Sequence, residues 1–101
     1  MTTALSNRQK KQLRAQAHKL NPVVEVGQKG CTEPVLAEIN RALEDHELIK
    51  IKVRCDDQAE LKSNLDLIVG QTKGELIQVI GHTIVFYRRN LEEPKIKIAG
   101  I

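Results

Sequence analysis

The stretch Val23-Val24-Glu25-Val26-Gly27-Gln28-Lys29-Gly30-Cys31-Thr32-Glu33-Pro34 decides how this 101-residue chain is read. It opens with residues of strand character, most of them valine. Gly27 and Gly30 then bracket Gln28 and Lys29. Thr32 is a good N-cap, and Pro34 is tolerated in the first turn of a helix. Strand, glycine loop and helix in direct succession make the start of an α/β unit. The loop also has a chemical reading. Glycine lets the backbone reach positive φ and approach a phosphate without a Cβ clash. The helix beyond it offers free N–H groups and a partial positive charge, and Lys29 adds a full one. Taken alone, G-x-x-G is as well a plain tight turn. Its position before a helix, and close in sequence to a run of basic residues, argues for an anion.

Downstream, Val35, Leu36, Ile39, Ala42 and Leu43 recur at helical spacing and form a core-facing stripe. Leu48 to Cys55 is the clearest strand. Ile49, Ile51, Val53 and Cys55 point one way and Lys50, Lys52 and Arg54 the other, which leaves one sheet face wet at this strand. Asp57 with Glu60 resembles a capping box that opens a third helix, with Leu61, Leu65, Ile68 and Val69 as its apolar stripe and Gly74 as its stop. Glu75–Ile80 and Thr83–Arg88 are β-rich. Gly81-His82 joins them as a two-residue turn of type II′, with His82 as a turn residue. Lys95-Ile96-Lys97-Ile98 alternates and reads as an edge strand or a loose terminus.

Upstream, Ser6 and Gln9 resemble a capping box for a helix running to Leu20, stopped by Asn21-Pro22. Leu13, Ala17 and Leu20 fall on one stripe, a docking edge; Lys10, Lys11, Arg14 and His18 fall on the neighbouring one. The order is therefore α-β-α-β-α-β-β. Helical connections favour parallel pairing of the first three strands with right-handed crossovers, and the last two strands form an antiparallel hairpin. The expected fold is one α/β domain over residues 1–101, a four-stranded mixed sheet with packed helices, its core at about 6–89 and a tail at 90–101.

Charge is divided unevenly along this order. Residues 1–32 hold six basic groups and one acid, a balance of +5; residues 33–101 hold ten basic and twelve acidic groups, a balance of −2. No acid precedes Glu25, although solvated helices usually mix signs in i,i+4 pairs. A local positive field beside an approachable backbone suits a polyanion. Lys50, Lys52 and Arg54 read as a solvated strand face, whereas Arg88 and Arg89, at the end of a strand, read equally as an extension of the basic surface or as solvated charges. Phe86 and Tyr87 are the only aromatics, so recognition by aromatic stacking is not expected and recognition of the backbone is left.

Other classes find little support. His18, His46, His82, Cys31 and Cys55 lack metal-ligand spacing, and no cofactor is expected. Cys31 and Cys55 read as reduced thiols of a cytoplasmic protein without a signal peptide. No apolar run approaches the ~18 residues that cross a membrane. No nucleotide fingerprint or P-loop occurs, Asp57 has a capping role, and Ser6 and Ser63 lack a base, so an enzyme is not expected.

With the loop, its flanking elements and Val79-Ile80-Gly81-His82-Thr83-Ile84-Val85-Phe86-Tyr87-Arg88 in place, the chain resembles the bacterial stand-alone CRM domain (chloroplast RNA splicing and ribosome maturation) of the YhbY type, from Leu13 to Arg88. Its markers are the G-x-x-G loop after a first strand, the helix opening near Thr32 and the I-G-H-T-I-V-x-Y-R hairpin. The resemblance implies RNA binding, association with precursors of the large ribosomal subunit, no catalytic activity, and a fold similar to the C-terminal domain of bacterial translation initiation factor three. The family loop often has a basic residue directly after its first glycine; here that place holds Gln28, and Lys29 supplies the charge. The loop is also likened to that of KH domains. The expected RNA-binding residues are Lys10, Lys11, Arg14, Lys19, Gly27, Gln28, Lys29, Gly30, Thr32 and Arg88, on a monomer. The alternative is a DNA-binding or nucleoid-associated basic protein, distinguished by dependence on the 2′-OH.

Overall fold

In the computed structural model, which describes residues 5–27, 30–55, 57–90 and 92, the Ser6 capping box closes in both directions. Ser6 Oγ accepts from the Gln9 N–H at 3.1 Å, and the Ser6 N–H donates to Gln9 Oε1 at 2.9 Å. Helix α1 (Asn7–Ala17) follows and ends at Ala17 rather than Leu20. The Leu20 N–H donates to the Ala17 carbonyl at 2.9 Å, a tight final bond that turns the chain into strand β1 (Pro22–Val26). Leu13 and Ala17 are buried as a docking edge requires, but Leu20 has left the stripe and is 37% exposed.

Helix α2 (Glu33–His46) starts from Thr32 in extended backbone, although the Thr32 side chain makes no cap hydrogen bond. Ile39 and Leu43 are buried, and Val35, Leu36 and Ala42 pack around them. Strand β2 (Leu48–Val53) ends before Cys55. Helix α3 (Gln58–Thr72) is capped by Asp57, whose Oδ1 accepts from the Glu60 N–H at 2.8 Å. Its buried stripe is narrower than the sequence suggests: Leu61 and Ile68 are in the core, while Val69 is 39% exposed. The left-handed residue ending α3 is Lys73, at φ 58°, and not Gly74. Gly74 is needed for space, because a Cβ there would lie 2.1 Å from the Phe86 ring. Strands β3 (Glu75–Ile80) and β4 (Thr83–Tyr87) are joined by Gly81 at φ 59° and His82, with Ile80 paired to Thr83; positive φ confined to the first central residue is the type II′ pattern.

The sheet order is β1-β2-β4-β3. β1 and β2 are parallel, and β4 is antiparallel to both β2 and β3. The first three strands thus run the same way, as helical connections favour, but β3 does not pair with β2. The hairpin folds back to place β4 between them. Burial gives the reason: Ile84, Val85, Phe86 and Tyr87 are all buried, as befits a strand covered on both faces, whereas Val79 and Ile80 of β3 are exposed and suit an edge.

Two apolar clusters lie on either side of this sheet. α2 and α3 cover one face with Ile39, Leu43, Leu61 and Ile68 against Val24, Val26, Ile51, Ile84 and Phe86. α1 covers part of the other with Leu13 and Ala17 against Leu48, Ile77, Val85 and Tyr87. The expected wet face of β2 is therefore wet only beyond Leu48: Lys50 is half-buried and Lys52 exposed. Among the described residues no helix is long and apolar enough to cross a membrane. All but Asn90 and Glu92 of the expected tail lies outside the described residues.

Candidate nucleic-acid interface

The outer side of α1 and the turn that follows it concentrate cations that form no ion pair among the described residues. Arg8, Lys11, Arg14 and Lys19 are exposed, and none of them takes part in the ion pairs found among the described residues. Arg8 stands in the first turn, where the helix dipole disfavours a cation, and no acid offsets it there. Stability alone gives no reason for that placement. Lys10 differs from its neighbours: its ammonium lies 3.8 Å from Glu75 of β3 and is partly neutralised.

The glycine loop leaves the C-terminal end of β1. The Gly30 N–H donates to the Gly27 carbonyl at 3.0 Å, closing the turn, and the Thr32 N–H donates to the Gly30 carbonyl at 3.2 Å. Gln28 and Lys29 lie outside the described residues. The two glycines do different work. Gly30 needs its φ of 81°, and a Cβ there would approach Asn64 Oδ1 to 3.3 Å. Gly27 is under no such constraint, and a Cβ on it would meet nothing within 4 Å. Among the described residues nothing requires glycine at 27. Thr32 is exposed at the start of α2, just beyond.

Between the loop and the first turns of α3 lies a cleft of about 330 Å³, lined by Gly30, Arg54, Asp57, Glu60, Ser63 and Asn64, among others. The Arg54 guanidinium is held there by the Glu25 carboxylate. That hydrogen bond, reinforced by the charge of Arg54 and more weakly by Lys52, holds the Glu25 carboxyl below its ordinary value. Cys31 is half-buried, its Sγ 3.9 Å from the Asn64 carbonyl, and burial pushes its thiol up, away from nucleophilic character. Neither Arg54 nor Asn64 is marked by local sequence; each acquires its place through a contact between distant segments.

Sequence neighbours are not all spatial neighbours. α1 and α2 occupy opposite faces of the sheet, so the basic helix and the loop are joined along the edge strand β1, a five-residue segment of about 16 Å. Arg88 is placed elsewhere again. It follows Tyr87, which pairs with the first residue of β2, whereas the loop follows the last residue of β1; the two sit at opposite ends of the strands. Arg88 Nη1 donates to Asn40 Oδ1 at 2.7 Å and to the Thr72 carbonyl at 3.0 Å, and Nη2 to the Asn40 carbonyl and Glu44 Oε1, each at 3.1 Å. Its guanidinium is already occupied in tying α2 and α3 to β4.

Comparison with known proteins accords with this architecture. Residues 5–88 match the family described as the CRS1 / YhbY (CRM) domain. An RNA-binding protein of Haemophilus influenzae is 49% identical over 96 residues, covering 95% of this chain and 96% of that protein. The Bacillus subtilis protein YqeI, named as an RNA-binding candidate, is 34% identical over 94 residues, covering 93% of this chain and 98% of its own length. A solution structure from Staphylococcus aureus, described as that of a candidate RNA binder, superposes with a TM-score of 0.80 at 35% identity and covers 94% of this chain and 99% of that one.

Proposed function

This chain belongs to the CRS1 / YhbY (CRM) domain family, and from that premise we propose that it is a non-catalytic, cytoplasmic RNA-binding protein that holds ribosomal RNA in precursors of the large subunit. The observation that carries the reading is the group of exposed cations on α1 and in the turn after it that pair with no carboxylate among the described residues. Lys11, Arg14 and Lys19 bind successive phosphates. The RNA backbone then follows the β1 edge to the loop, where Gly27 lets a phosphate close on the backbone, Gln28, Lys29 and Gly30 take part in binding with Lys29 supplying charge, and Thr32 and the free N–H groups of α2 complete the contact. Lys10 contributes less, because Glu75 shares its charge. Such contacts position the chain without reading sequence.

The test is the salt dependence of binding to single-stranded RNA. Four phosphate contacts give a log–log slope of about −3, at roughly −0.7 for each. Replacing Lys11, Arg14 and Lys19 together by Gln should flatten the slope by about two units. Surface changes of this kind stay within about 0.5 kcal/mol each, so the variant should still melt cooperatively. A slope indistinguishable from zero in the parent would remove the polyanion reading. Equal competition by DNA of the same sequence would favour the DNA-binding alternative, since the 2′-OH is what distinguishes the two. Nuclease-sensitive sedimentation with precursors of the large subunit tests the ribosomal assignment; sedimentation that survives nuclease would point to a protein partner instead.

A further inference from the structure

We propose that the cleft between the glycine loop and α3 is a nucleobase pocket, in which Asn64 reads the edge of one base and Arg54 stacks on its face. This rests on the RNA-binding reading and adds base selectivity to it. The cleft adjoins the loop directly: Gly30 belongs to both, and Asn64 Oδ1 stands 3.3 Å from where a Gly30 Cβ would be. A nucleotide whose phosphate sits on the loop therefore has this cleft within reach of its base. The volume, about 330 Å³, is at the small end of ligand sites, which run from about 300 to 1,000 Å³.

The lining selects among possible occupants. Asp57 places a carboxylate at the cleft, which repels a second phosphate but accepts a hydrogen bond from an exocyclic amino group. The Asn64 carboxamide makes no hydrogen bond among the described residues, so both its donor and its acceptor are available. An Asn carboxamide pairs bidentately with the N6 and N7 of adenine. Neither aromatic side chain can serve as a platform, because Phe86 and Tyr87 are buried. The planar guanidinium of Arg54, held by Glu25, takes that role, as Arg does in single-stranded RNA recognition. Uracil, with no amino group, is the base this lining rejects.

Fluorescence anisotropy with labelled octamers of adenylate, cytidylate and uridylate tests the proposal. The parent should prefer the adenylate octamer to the uridylate one by about tenfold. Asn64→Ala should reduce that preference to about twofold or less while keeping the salt slope, because base contacts carry specificity and phosphate contacts carry the salt dependence. Asn64 is only half-buried and the shorter side chain introduces no new atom beside Gly30, so the fold should persist. Asn64→Asp is the second arm: losing the amide donor while gaining an acceptor, it should shift preference from adenine towards cytosine. Equal binding of adenylate and uridylate octamers by the parent would overturn the pocket, as would discrimination that survives both substitutions. Absence of salt-dependent binding to any octamer would instead remove the RNA reading on which the pocket stands.

Discussion

The two ends of the sheet carry similar residues put to opposite uses. At the end where β2 begins and β4 finishes, the charged groups are paired, and among the described residues the Tyr87 hydroxyl is the one buried side-chain polar atom left without a hydrogen-bond partner. Arg88 fills its donors with Asn40, Thr72 and Glu44. Glu47 is fully buried at a positive φ of 63°; its carbonyl accepts from the Arg88 N–H at 2.9 Å and its Oε2 from the Asn90 N–H at 2.6 Å. Tyr87 lies in the same cluster of chain, and burial, then the Glu47 charge, pushes its hydroxyl up. At the other end, Gly27 stands in open space, Asn64 leaves its carboxamide unbonded among the described residues, and Arg54 is held by one exposed carboxylate. A charge counted in the sequence is the same at either end. What differs is whether the fold has already answered it, and only an unanswered charge is available to a ligand.

Arg88→Ala breaks the comparison most severely. It removes a charged donor from two carbonyls and two side chains and should lower stability by about 3 kcal/mol in denaturant unfolding. The fraction that remains folded should bind RNA like the parent. A variant of parental stability with weakened RNA binding would return Arg88 to the basic surface.

Gly30→Ala comes next, because it forces a side chain into left-handed backbone and against Asn64. A cost of about 1–2 kcal/mol is expected in the same measurement. Gly27→Ala is its counterpart. With open space at its Cβ it should change stability by less than about 0.5 kcal/mol, yet weaken RNA binding several-fold if phosphate approaches there. If both alanine variants fold and bind RNA as the parent does, the loop is only a turn and the two ends differ less than their geometry suggests.

The smallest effect concerns pH. Arg54 lowers the Glu25 carboxyl in the folded state, so the pair stabilises the fold above the ordinary unfolded carboxylate value of about 4.3 and loses that contribution as pH falls through the lower folded value. Both groups are exposed, so the contribution is slight. Melting temperatures of the parent and Glu25→Gln should converge on acidification from pH 7 towards pH 3. Curves that stay parallel throughout would show that the pair does not form in solution.

Much of the fold was legible in residues 5–90 because its signals are local. The capping of α1 by Ser6 and of α3 by Asp57, the Gly81-His82 turn and the stripe on α2 are set by groups three or four residues apart, or by one residue's φ preference. The order of elements and the shared direction of β1, β2 and β3 follow from those signals and from the helical crossovers. The candidate interface was legible to the extent that it is a charge pattern on one helix and a glycine spacing after one strand.

The rest was decided in three dimensions. β4 lies between β2 and β3 because four consecutive buried side chains must be covered on both faces, a requirement set by the whole sheet. α1 and α2, separated in sequence by β1 and the loop, part to opposite faces because each helix follows its own apolar stripe to the nearest uncovered side of the sheet. The pairing of Lys10 with Glu75, the occupation of Arg88, the glycine at 74 imposed by the Phe86 ring, and the meeting of Gly30 with Asn64 all join residues that only packing brings together. Periodicity and capping act over one turn or one pleat. Whether a charge or a carboxamide finds a partner depends on the entire path of the chain, and on that path rests the difference between the closed end of this sheet and the open one.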